Sequence, residues 1–359
     1  MVSSQRIHYL DRLRVFGAYA VILVHVAAEF IFTVDVGSDA WEAMNIVDGL
    51  SRWCVPIFVM ISGALFLNKN PQGEDRTKDY RKIWKKNILH LITSFFFWSI
   101  VYCLTDYYRL ENMDHVWAHR VSEILFGPPP FWFLYMMFGL YILLPFLRPI
   151  AHDQKLLNGF IVFSAIFTFL LPSLQLITTD LAGENPFLSQ AVSTAFSGIG
   201  NITWHFTLGY TSYFLIGYAL ESKEISKRQQ WIIYLLGLFG WIAVPVLTSY
   251  FSNIAGGIVT HYYGYFFLPT MLAAIALFVF GKYHWNRPSR LWRFLSDHTF
   301  GVYLVHHLVL FELRHHFANP FPGIHTIGGL LLAAGTVFGI SLLISIVIRH
   351  IPILKRWVI

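Results

Sequence analysis

The sequence predicts an all-α, polytopic membrane protein with about ten transmembrane helices and both termini on the cytoplasmic side. Three observations carry this. Apolar runs long enough to cross a bilayer recur along the whole chain. Hydrophobic residues make up 56% of the sequence against 13% charged, and the mean hydropathy is +0.54, well outside the range of an ordinary soluble domain. Lysines and arginines gather in alternate segments between the runs.

Taken in order, the runs centre near Val21, Val59, Phe96, Gly139, Phe167, Phe214, Gly240, Leu272, Leu308 and Gly339. The first has no small-residue cleavage site behind it and is longer than the apolar part of a secretory signal, so it reads as a retained span. With the N-terminus inside, the cytoplasmic segments hold 22 of the 26 Lys and Arg, leaving Arg52, Arg109, Arg120 and Arg314 elsewhere. The positive-inside rule therefore places both termini in the cytoplasm. The same basic segments account for a pI near 9.2 through an anionic lipid leaflet, with no nucleic acid partner. The runs are continuous and do not alternate, which argues against a β-barrel. No polar stretch is long enough for a separate soluble core, so residues 1–359 read as one polytopic domain. Cys54 and Cys103 both fall inside apolar runs and suggest neither a disulfide framework nor a zinc site.

The first run, "RVFGAYAVILVHVAAEF", carries Arg14, His25 and Glu29. Eleven positions at 100° per residue come to three turns plus about 20°, so Arg14 and His25 share one helix face, about 16 Å apart along the axis. Glu29 lies one turn beyond on that face, where it can orient or charge the imidazole. Ionisable groups at such depth are costly and belong on a polar cavity. The competing reading is a buried histidine bonded to a neighbouring helix, with Arg14 snorkelling to the interface.

These residues and several later stretches resemble the acyltransferase-3 family of bacterial membrane O-acyltransferases. "LDRLRVFGAYAVILVH" is similar to the family's first helix, with Arg14 and His25 at its basic residue and histidine. "RWCVPIFVMISGALF" resembles the second helix ending in Ser62-Gly63, "FWFLYMMFGLYILLPFL" the fourth, with Trp132, and "SDHTFGVYLVHHLVLF" a late helix with Tyr303 and His306. "YRKIWKKNILH" falls where the family has two spaced arginines; here the cations are Arg81, Lys82, Lys85 and Lys86, and the usual following proline is missing.

The resemblance implies transfer of an acyl group, usually acetyl, from cytoplasmic acyl-CoA to a hydroxyl of a lipid-linked or cell-surface glycan. It also implies a multi-pass location in the bacterial inner membrane. Acetyl-CoA, or another acyl-CoA, is then a donor substrate, and no resident cofactor is expected. Arg14 and the Arg81, Lys82, Lys85 and Lys86 group suit the donor's phosphates. His25 serves either as general base or as an acyl-carrying nucleophile.

Arg52 has three readings: a partner for Glu29, a contact for an acceptor phosphate, or a structural ion pair. Trp132 can stack on a sugar or anchor at the interface. Tyr303 and His306 can line a cavity or pack between helices. Ser62-Gly63 reads as a close-packing pair. The histidine pairs 306-307 and 315-316, with His115 and His119, lack a matching carboxylate or thiolate pattern, so no metal is expected. Two other classes also fit many helices: a transporter or flippase of lipid-linked sugars, which would move substrate without consuming acyl-CoA, and a non-catalytic scaffold, which leaves the Arg14 and His25 face unexplained.

Overall fold

A computed structural model describes residues 6–68, 73–105, 116–183, 209–317 and 321–359, with isolated positions between 184 and 196. Among the described residues all regular structure is helical. In chain order the helices are α1 (His8–Phe30), α2 (Asp39–Ser51), α3 (Cys54–Phe66), α4 (Gly73–Lys82), α5 (Leu89–Thr105), α6 (Val116–Phe126), α7 (Trp132–His152) and α8 (Gln154–Ser164). They continue as α9 (Leu171–Ala182), α10 (Gly209–Ser222), α11 (Lys227–Ala255), α12 (Leu268–His284), α13 (Arg290–His316), α14 (Ile327–Arg349) and α15 (Pro352–Trp357). π-helical turns over Ile83–Ile88 and Ala165–Leu170 join α4 to α5 and α8 to α9.

All ten sequence-predicted centres fall within helical segments. Eight stretches among the described residues are long and apolar enough to cross a membrane. The other two centres lie in α10 and α13. The described part of α10, 14 residues, covers only about 21 Å at 1.5 Å per residue, short of a bilayer's hydrocarbon, and residues 197–208 before it lie outside the described residues. α13 is long enough, but His298, His306, His307, Glu312 and Arg314 lower its hydropathy.

The chain divides into two compact units. The first comprises Met1–Asn68, Pro149–Ser296 and Phe321–Gly335. Three of its helices start where side chains satisfy the orphan amides of a first turn. Ser38 accepts from the Trp41 amide at α2, Asp153 from Lys155 and Leu156 at α8, and Ser226 forms a capping box with Gln229 at α11. Gly256 ends α11 in the left-handed region, at φ +62°, as a C-cap glycine does. α3 and α10 meet backbone to backbone: a Cβ built on Gly63 would lie 1.8 Å from the Phe214 carbonyl oxygen, and one on Gly217 2.1 Å from that of Met60. This is the close packing expected of Ser62-Gly63, and the Ser62 hydroxyl is occupied by the Phe58 carbonyl at 2.9 Å. Trp231, Leu235, Leu238, Phe239 and Ile242 on α11 are exposed, forming a face suited to lipid.

The second unit comprises Lys69–Arg148, Asp297–Pro320 and Thr336–Ile359. Phe131 is fully buried at its centre, with the rings of Phe95 and Tyr102 at 5.9 and 5.5 Å. The Tyr102 hydroxyl donates to the Leu304 carbonyl and accepts from the Leu308 amide, both at 3.0 Å. Arg148, which the sequence reading placed among the cytoplasmic-loop cations, is instead buried on α7. It pairs with Asp79 at 2.9 Å and lies over the Tyr80 ring. The pairing lets the chain bury a charge that charge counting alone assigns to the surface.

Candidate active site

α1 is almost entirely buried along its central turns. From Ala20 to Ala27, His25 is the one residue that is not buried, and Ala28 and Glu29 one turn on are likewise partly exposed. His25 and Glu29 are thus partly exposed on a helix where lipid contact would be unfavourable for both. Arg14, on the same face, is also partly open. Its guanidinium is 3.3 Å from the Asp11 carboxylate.

Asp11 is a residue the sequence reading missed. It is buried, and it accepts two bonds from Arg6, at 2.7 and 2.9 Å, and one from the Ser296 hydroxyl at 3.0 Å. Four donors thus converge on one carboxylate, which fixes the position from which Arg14 projects. The available signal was the i,i+3 spacing of Asp11 and Arg14 on a helix.

Arg52 is placed differently from the sequence expectation. The helical stretch begins at Asp39 and runs to Phe66, with a turn at Arg52-Trp53 separating α2 from α3, so Arg52 sits mid-span and not at the start of a helix. Its partner is Asp48, at 2.6 Å, and not Glu29. This is the structural ion pair among the three alternatives. The guanidinium also lies 4.6 Å from the centre of the Tyr263 ring, a cation–π contact. The Tyr263 hydroxyl donates to Asn45 Oδ1 at 2.7 Å, and Asn45 Nδ2 donates to the Pro245 carbonyl at 3.0 Å. α2 therefore carries polar groups into the membrane because α11 and Tyr263 meet their hydrogen bonds.

The remaining candidates lie in the second unit. Arg81, Lys82, Lys85 and Lys86 are all exposed, around the π turn that opens the Lys78–Thr105 stretch. Trp132 begins α7 and is 38% exposed. Tyr303 donates to the Pro130 carbonyl at 2.6 Å, which ties α13 to the turn before α7. His306 has no accessible surface; its Nδ1 lies 2.5 Å from the Tyr303 carbonyl, and its ring packs 5.9 Å from that of Tyr303. Both contacts are within α13 itself. His115 lies outside the described residues, as does the side chain of His119.

The first unit thus brings Arg14, His25 and Glu29 onto one open face of α1, with Arg52 neutralised at mid-span. The second carries the exposed cations. Partly open histidine and carboxylate groups on a buried helix are equipped to accept and return a proton away from bulk water. No curated protein and no solved structure gives a match to the chain. The sequence profile of an acyltransferase domain, that of the acyltransferase-3 family, matches residues 7–350 and so includes every residue of this site. The chain is a multi-pass membrane protein, and it belongs to the acyltransferase-3 family.

Proposed function

We propose that this membrane acyltransferase moves an acyl group, acetyl in the simplest case, from cytoplasmic acyl-CoA to a hydroxyl of a cell-surface or lipid-linked glycan, with His25 as the proton acceptor. The single observation that carries this reading is His25 as the one open position on the otherwise buried stretch of α1 from Ala20 to Ala27. Arg14, held by Asp11, suits a donor phosphate. The exposed Arg81, Lys82, Lys85 and Lys86 are a second set of cations suited to the same chemistry.

In direct transfer, the imidazole accepts the sugar hydroxyl's proton as its oxygen attacks the thioester carbon. The C–S bond breaks, the ester C–O bond forms, and the imidazolium returns the proton to the CoA thiolate. In the two-step alternative, the imidazole nitrogen attacks first, releases CoA, and passes the acyl group to the sugar. Glu29, one turn away, orients or charges the ring. Arg52 is paired in the resting protein, so a role toward an acceptor phosphate requires that phosphate to compete with Asp48.

The test is label transfer from radiolabelled acetyl-CoA to glycan acceptors by the purified protein in proteoliposomes. His25→Ala is expected to lower the rate by about 10² to 10⁴-fold while donor binding persists. His25→Gln should be equally slow, since an amide cannot accept the proton at neutral pH. A well-folded His25→Ala protein with most of its rate would sink the mechanism, and glycan movement without acyl-CoA consumption would replace it with transport.

A further inference from the structure

Between α11 and α12 the first unit contains a groove of about 660 Å³, lined by Lys227, Trp231, Tyr234, Trp241, Phe280 and His284 among others. Both helices belong to stretches long and apolar enough to cross a membrane. Lys227 opens the Lys227–Ala255 stretch and His284 closes the His261–His284 stretch, so the two basic side chains mark the same end of the groove. Apart from Gln230, the lining beyond them is aromatic or aliphatic. From Lys227 to Trp241 the groove follows α11 for 14 residues, about 21 Å at 1.5 Å per residue. One leaflet's hydrocarbon is about 15 Å deep, half of the bilayer core, and the headgroup region adds several ångströms. The groove therefore matches one phospholipid in length.

Its chemistry matches one class of phospholipid. Lys227 makes no hydrogen bond or ion pair among the described residues, although it stands at a membrane boundary. The contacts of His284 are with aromatic rings, Phe280 at 4.6 Å and Tyr234 at 6.2 Å, so its nitrogens are not committed to a carboxylate. Arg228 follows Lys227 directly. Trp231 is 67% exposed one turn in from Lys227, the level at which an indole prefers to sit between headgroup and chain. A cationic mouth without an acidic partner, above an aromatic trough, is complementary to a phosphate with an acyl chain beneath it.

We propose that this groove is a binding site for one anionic phospholipid, its phosphate held by Lys227 and His284 and one acyl chain lying along Trp231, Tyr234 and Trp241. The site is separate from the Arg14 and His25 face and does not depend on the acyl-transfer reading.

The experiment is native mass spectrometry of the purified full-length protein in neutral detergent, offered phosphatidylglycerol or phosphatidylcholine of equal chain length, with thermal unfolding measured in parallel. One phosphatidylglycerol should be retained at least tenfold more strongly than phosphatidylcholine, and should raise the melting temperature. Lys227→Glu should abolish the preference and Lys227→Gln reduce it, while Trp241→Ala weakens retention of both lipids. Lys227 is a surface residue outside the catalytic machinery, so acetyl transfer in detergent should be unchanged in its variants. Equal retention of the two lipids, or an undiminished preference in Lys227→Glu, would overturn the proposal. Displacement of the bound phosphatidylglycerol by CoA would reassign the groove to the donor. Burial of the groove in a stable dimer, read by light scattering, would reassign it to a second copy of the chain.

Discussion

Asp48 and Arg52 put two opposite charges at the middle of a membrane-spanning stretch, 2.6 Å apart, with Asp48 wholly buried. An isolated charge at that depth would be strongly unfavourable, so neither residue can be removed without exposing the cost of the other. Asp48→Ala is expected to destabilise the protein by about 3 to 5 kcal/mol, the range for breaking a buried pair. The double substitution Asp48→Leu with Arg52→Met removes both charges at similar volume and should be nearly neutral. Thermal unfolding of the two proteins in detergent distinguishes them; equal losses would mean that the pair has no structural role. The sequence reading offered a structural ion pair for Arg52 but did not name Asp48, although the two are only four residues apart. Glu42 and Asn45, which also break the apolar pattern of α2, could not be read locally, because their partners Ser249, Pro245 and Tyr263 lie about 200 residues further along the chain. Arg14 and His25 were legible because both charge and spacing lie within a single helix. Asp11, on that same helix, matters through contacts with Arg6 and Ser296, and the latter is invisible to local pattern.

At the scale of elements, apolar length set what could be read. All ten centres fell in helices because an apolar run of about 20 residues has few alternatives in a bilayer. The two π turns were not foreseeable, since each adds only one residue per turn to a continuous apolar stretch. The one at Ile83–Ile88 changes the angular relation of Arg81 and Lys82 to Lys85 and Lys86, in the segment whose spacing departs from the family pattern. The seam between α3 and α10 makes a sharper prediction. A side chain on Gly63 would collide with the Phe214 backbone, which cannot rotate away. Gly63→Val should therefore separate the helices and reduce the folded yield several-fold, as a clash between backbones costs more than an overpacked side chain. Fluorescence-detected size-exclusion of a tagged protein measures this; a monodisperse Gly63→Val protein at the normal yield would show that the helices can part.

For the whole molecule, the distribution of basic residues gives the prediction. With 22 of 26 Lys and Arg in alternate segments, tags at both termini should be accessible only from the cytoplasm. Protease or thiol-reagent access to either terminus only from outside would reverse the faces assigned to donor and acceptor. The inward turn of Arg148 weakens that count by one residue and leaves its sign unchanged. The family match, over residues 7–350, extends across both compact units.

The Gly63 and Gly217 seam also limits how the first unit can move. Most helix pairs slide by exchanging side-chain rotamers, but here the touching atoms are backbone and have no rotamers to exchange. Displacement of α3 along α10 by even one residue, about 1.5 Å, would replace each glycine with a neighbour that carries a side chain. The two helices are therefore a fixed strut. Any rearrangement that admits a donor or releases a product within this unit must bypass the strut and fall to elements whose contacts are made by side chains, α1 among them.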